Sequence, residues 1–148
     1  VADVSRGVST ALGYVLNLGV AAILVTTLML SAGTLVDDQR RVAVETELEV
    51  VGERVAADLA SADRLARASD GGSVRYVVDV PTRVAGTTFE VQVNESGNDR
   101  VVLVADRPRV RVSVPYDSET SIPGANTSSG RFAFVYDAGT DTLEVADV

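Results

Sequence analysis

The chain has 148 residues and carries 21 Asp plus Glu against 13 Lys plus Arg, a formal net charge of −8. Every cation is an arginine, and neither cysteine nor histidine occurs, which excludes disulfide staples, the usual zinc sites and any triad with a histidine base. An acidic chain is repelled by phosphate backbones, so no nucleic-acid partner is expected.

The acidity has two readings. One is solubility; the other is a carboxylate surface that stays hydrated at high salt. The absence of lysine favours the second, although a GC-rich genome produces the same exchange for arginine. With histidine and cysteine gone, catalysis would be left to carboxylates, Ser, Tyr or Arg. The Asp and Glu residues read as a solvated surface. A non-enzymatic chain is expected, with no catalytic residues, cofactor or metal.

Between Arg6 and Asp37 no residue is charged. The 30 residues from Gly7 to Val36 would form a helix about 45 Å long, whereas a hydrocarbon core of roughly 30 Å needs only about 20 residues. Buried helices of soluble proteins rarely exceed about 12–15 residues without a charge. The apolar region of a secretory signal is also shorter, about 7–15 residues. The segment Val8 to Val36 therefore reads as a single membrane span with lipid as a partner. Gly13, Gly19, Gly33, Thr26 and Thr27 punctuate it, and small residues let helices approach closely in lipid. Asn17 is polar within the span. It calls for a partner in its own chain, a place near the interface, or a contact between copies.

Beyond Asp37 the helical period continues through an amphipathic segment, 37–70. Val44, Leu48, Val51, Val55, Leu59, Ala62 and Leu65 form one stripe, with Gly52 as a weak point. One helix of about 60 residues, ~90 Å if unbroken, is predicted to stop at Asp70-Gly71-Gly72. Its outer stripe needs cover. Packing on the chain's own sheet is favoured over a coiled coil, because the stripe drifts from strict heptads.

From residue 71 to 148 the period becomes two. Val74, Tyr76, Val78 and Val80 share a face, as do Phe89, Val91 and Val93; Val110, Val112 and Val114; and Phe132, Phe134 and Tyr136. Val101–Val104 suits the most buried strand, and Leu143 with Val145 a final edge strand. Turns are predicted at 95–99 and 137–141, and Pro108 and Pro115 bracket a strand. The fold class is α+β: a long N-terminal helix on a C-terminal antiparallel sheet of about six strands, most simply a meander. The polar connection Tyr116 to Gly130 is a candidate exposed surface for contacts or modification. Two glycosylation sequons begin at Asn94 and Asn126, both in predicted loops. Arg6 before the span and Arg40, Arg41 and Arg54 after it leave the orientation open by the positive-inside rule.

Arg6-Gly7 leading into Val8-Ser9-Thr10, then Gly13-Tyr14-Val15-Leu16 in an uncharged helix, resembles the type IV pilin-like proteins of halophilic archaea. The resemblance covers about the first 65 residues by motif and the remainder by architecture. It implies a short class III signal over residues 1–7, cut after Gly7 by a prepilin peptidase so that Val8 begins the mature chain. Mature position five would be Leu12, where bacterial type IV pilins carry Glu and archaeal relatives commonly do not. It further implies a subunit, expected to be a minor one, that contacts other pilin subunits through its N-terminal helix. The β domain would lie outside the cell membrane or on an extracellular filament. The alternative is a permanently anchored envelope protein whose exterior β domain binds a partner.

Overall fold

Helix α1, Ala2–Ala68, runs for 67 residues. The computed structural model describes the backbone of residues 2–94 and 99–148, and the side chains of residues 12–93 and 99–148. Contacts divide the chain into two units, Val1–Gln39 and Arg40–Val148. Among the described residues the first unit is helix alone. The second holds the outer part of α1 and seven strands: β1 Val74–Asp79, β2 Phe89–Asn94, β3 Arg100–Asp106, β4 Arg109–Pro115, β5 Ala125–Ser128, β6 Arg131–Asp137 and β7 Thr142–Asp147.

The helix ends where the composition says it should. Asp70 and Gly71 both take positive φ, 48° and 88°, and the amide of Gly72 donates to the carbonyl of Ser69 at 2.9 Å. A left-handed turn of this kind satisfies carbonyls that the last helical turn leaves unpaired.

The α+β class is as expected, but the strands do not form one meander. They divide into two antiparallel sheets, ordered β1-β6-β7 and β4-β3-β2-β5. In the first, Val78 faces Phe132 and Tyr76 faces Phe134 across β1 and β6. In the second, Val91 faces Leu103 across β2 and β3. The reason lies in the 15-residue polar connection. Its residues Ala125–Ser128 form β5, which pairs with β2 at Val91↔Thr127 and Val93↔Ala125. That pairing occupies the free edge of β2 and directs the chain back to β1. The connection is held elsewhere too: Ile122 and Thr120 are buried, and the Leu143 amide donates to the Ser121 carbonyl at 2.9 Å. A loop exposed along its whole length is therefore not what this segment is.

One core joins the helix to both sheets. Val44, Leu48, Val55, Leu59, Phe89, Val91, Leu103, Phe132, Phe134 and Leu143 belong to a single buried cluster. The rings of Phe132 and Phe134 meet edge to face, with centroids 5.6 Å apart, the arrangement that ring quadrupoles favour. The helix stripe follows the expected residues as far as Ala62. Its next member is Ala66, 1% exposed, and not Leu65, 49% exposed. Two consecutive three-residue steps carry Leu65 about 120° round the helix from Leu59, and a four-residue step restores the phase. Ala133, on the opposite face of its strand from Phe132 and Phe134, is also fully buried.

The segment between β1 and β2 closes in a tight turn in which Val84 and Thr87 exchange backbone hydrogen bonds of 2.8 Å. Its central residues Ala85 and Gly86 have φ of 44° and 80°. That is the hairpin turn with two left-handed positions, which favours Asn-Gly. Glu47 on α1 secures it by accepting the Ala85 amide at 2.6 Å. Alanine is strained at a left-handed position, whereas asparagine tolerates it. Ala85→Asn is therefore expected to raise stability by about 0.5–1 kcal/mol, read as a higher unfolding midpoint in denaturant with an unchanged slope.

Candidate anchoring and assembly surface

The inner part of α1 contains the only candidate membrane span among the described residues, one long and apolar enough to cross a membrane. From Leu12 to Val36 its large apolar side chains are exposed: Tyr14, Ile23, Leu28, Met29 and Leu30 are each about 70% accessible. At about 100° per residue these positions point in every direction round the axis. No amphipathic face exists, and the surface is apolar throughout. Water is a poor solvent for such a cylinder, which calls for lipid or other helices on all sides.

The polar groups in this stretch are treated in two ways. The hydroxyls of Thr26 and Thr27 donate to the carbonyls of Ala22 and Ile23 at 2.8 and 2.9 Å. Thr34 donates to the Ser31 carbonyl at 2.9 Å. These hydroxyls need no outside partner. Asn17 is exposed, and among the described residues nothing in the chain bonds its amide, which leaves a place near the interface or a contact between copies. Among the described residues, nothing beyond their own helix backbone lies within 4 Å of where a Cβ would stand at Gly13, Gly19 and Gly33.

Gly7 and Val8 belong to the helical backbone of α1, and their side chains lie outside the described residues. Asn94 ends β2 and pairs with Arg100 in register; its side chain, and the Glu95 and Ser96 that complete the sequon, also lie outside the described residues. Asn126 corrects the expectation of a loop. It sits in β5 opposite Gln92, exposed on an edge strand. The strand forms because β2 offers an unpaired edge, a non-local cause that the tripeptide itself cannot signal.

The outer part of α1 is clasped by polar contacts in addition to the core. Asp63 is 3% exposed. Its Oδ1 accepts the Thr120 amide at 2.9 Å and lies 3.2 Å from the Ser118 hydroxyl, while its Oδ2 accepts Arg67 Nε at 3.1 Å. Arg67 also pairs with Glu119 at 2.9 Å. Burial by itself would raise the Asp63 carboxyl. The Thr120 and Ser118 hydrogen bonds and the Arg67 charge outweigh it and hold the group below its ordinary value. Higher up, Tyr76 donates to Asp58 at 3.0 Å, and that bond, with burial, raises the phenol. Composition offered no sign that Asp63 differs from the other carboxylates, because Ser118 and Thr120, the two partners that set it apart, lie 55 and 57 residues further along the chain.

The cavities on the β unit are open and polar. One of about 480 Å³ is lined by Thr87, Thr88, Asp106, Arg107 and Arg109. Another of about 220 Å³ adjoins the Asp63 clasp. Among the described residues no group of His, Cys, Asp or Glu side chains is arranged to hold a metal ion.

The model of a family of unknown function, DUF7266, matches residues 3–146. No curated protein and no solved structure matches the chain.

Proposed function

We propose that this chain, which belongs to the DUF7266 family of unknown function, is a type IV pilin-like subunit, a minor component of a surface filament or of its assembly machinery. The observation that carries this reading is one helix with two kinds of surface. Residues 12–36 are apolar and exposed all round, and one face of residues 44–66, from Val44 to Ala66, is covered by the protein's own sheets. The inner surface has the same need in a bilayer and in a bundle of identical helices, so passage from one to the other keeps it buried. Open space at Gly13, Gly19 and Gly33 suits close approach by neighbouring helices.

Cleavage after Gly7 by a prepilin peptidase is the processing step this reading requires. The mature protein, isolated from cells, is expected to begin at Val8 when its N-terminus is sequenced. It is also expected in the fraction released by shearing. A mature chain that retains Arg6 and Gly7 and stays with the membrane after shearing would rule the reading out.

One observation favours the alternative, a permanent single-pass anchor with an exterior β domain that binds a partner. Thr26, Thr27 and Thr34 satisfy their hydroxyls inside their own helix, so the span is suited to lipid without any neighbour. The same sequencing and shearing experiment separates the two.

A further inference from the structure

We propose that the end of the β unit closest along the chain to the apolar helix is a docking surface for the anionic phosphate headgroups of the bilayer. The proposal rests on the reading of residues 12–36 as a membrane segment. Arg40 and Arg41 follow Val36 by four and five residues on the same helix, an axial distance of about 6–8 Å. The β3–β4 turn comes to the same place: a guanidinium nitrogen of Arg41 lies 3.5 Å from the carbonyl oxygen of Arg109. Thr87 then ties in the neighbouring turn, its hydroxyl donating to the carbonyl of Arg107, and Arg83 stands just before that turn.

All five arginines are exposed. Their bonding sets them apart from the arginines on the rest of the unit. Arg54, Arg67 and Arg131 pair with carboxylates, and Arg64, Arg100 and Arg111 bond to Ser61, Ser113 and Gln92. Among the described residues, none of the five pairs with a side chain, and Arg75 on β1 is the one other arginine of which this is true. Four carboxylates accompany the five arginines. Asp106 lines the cavity beside Arg107 and Arg109, Glu47 is occupied by the Ala85 amide, and Asp37 and Asp38 precede Arg40.

In a chain of net charge −8, exposed guanidinium groups that pair with no side chain and are gathered at one end suit an outside anion. Guanidinium matches phosphate oxygens with two parallel hydrogen bonds. A bilayer offers such groups where the apolar helix emerges. Each arginine near an anionic surface is worth about a fivefold gain in association.

The full chain reconstituted into nanodiscs tests this, comparing pure phosphatidylcholine with a mixture containing phosphatidylglycerol at low salt. Amide exchange in segments 82–88 and 106–110 is expected to slow at least threefold in the anionic discs. Arg83→Gln, Arg107→Gln and Arg109→Gln combined are expected to abolish the difference while leaving exchange around Leu103 unchanged. Equal exchange in the two discs overturns the proposal. Equal slowing by inorganic phosphate in neutral discs assigns the surface to free phosphate and overturns the lipid assignment. Slowing that follows the number of copies per disc, whatever the lipid, assigns it to a second copy and overturns it likewise. Failure to co-elute with either disc removes the membrane reading, and this inference with it.

Discussion

Asp63→Ala is expected to destabilise the β unit by about 2–4 kcal/mol, the cost of breaking hydrogen bonds to a charged acceptor and leaving a buried donor unpaired. The stranded donor is the amide of Thr120, a residue only 7% exposed. Arg67 would lose the buried one of its two carboxylates to truncation and keep only Glu119 on the solvent side. Asp63→Asn preserves the shape and one acceptor oxygen but loses the charge, and is expected to cost less. Acid provides an independent check. The carboxyl is held below its ordinary value in the folded state, so its stabilisation is fully present above the unfolded value of about 3.9 and is lost as pH falls through the folded one. The difference in unfolding free energy between the protein and Asp63→Asn is expected to be level from neutrality to about pH 5 and to shrink below about pH 4. A difference that stays constant to pH 2 would dissociate the clasp from the charge of Asp63.

Gly52→Val is expected to cost at least about 3 kcal/mol, although valine is a better helix former than glycine. A Cβ at this position would stand 2.8 Å from Val114 Cγ2 and 2.9 Å from Leu103 Cδ1. The leucine methyl can swing aside, but Val114 is β-branched and stiff on its strand. Gly52→Ala separates the terms. It recovers up to about 1 kcal/mol of helix propensity and meets an overpacking cost of about 1–3 kcal/mol. A net loss of about 1 kcal/mol is expected, read from thermal or denaturant unfolding of the detergent-solubilised chain. Gly19→Ala is the matched control, with open space around the site; there the propensity gain is expected unopposed. If Gly52→Ala proved as benign as Gly19→Ala, the close approach of helix and sheet at this point would be disproved.

Gly52 also shows how far local pattern reaches. Read along the sequence it is a weak point in a helix; in the fold the helix passes through it unbroken and the sheet presses against it. The identity of the residue is local information, while the reason for it lies in Leu103 and Val114. The same division runs through the structure. Alternation at Phe89, Val91 and Val93, or at Phe132 and Phe134, is written into consecutive residues, and those strands are where the pattern puts them. Strand β5, Ala-Asn-Thr-Ser, contains no large apolar residue. It is a strand because β2 has an edge to offer. The two-sheet arrangement depends on β1 finding β6, a choice that no short stretch encodes. Of the surface features, the apolar cylinder of residues 12–36 is legible from charge alone. The Asp63 clasp and the gathering of Arg41, Arg83, Arg107 and Arg109 are not, because each joins residues that the chain separates widely.

The pairing of β1 with β6 has a consequence for how the protein is made. Val74–Asp79 must wait for Arg131–Asp137 before its sheet can begin, and at the pace of a ribosome, about 5–20 residues per second, that wait is roughly 3–10 s. Strands β2, β3 and β4 are neighbours in sequence and can assemble meanwhile, since local contacts close fastest. During the interval the exposed face of β1 and part of the helix stripe have no partner, with the apolar segment already emerged ahead of them. The nascent chain is thus most vulnerable to aggregation after β4 and before β6. A stop introduced before Arg131 would leave that vulnerable intermediate as the final product.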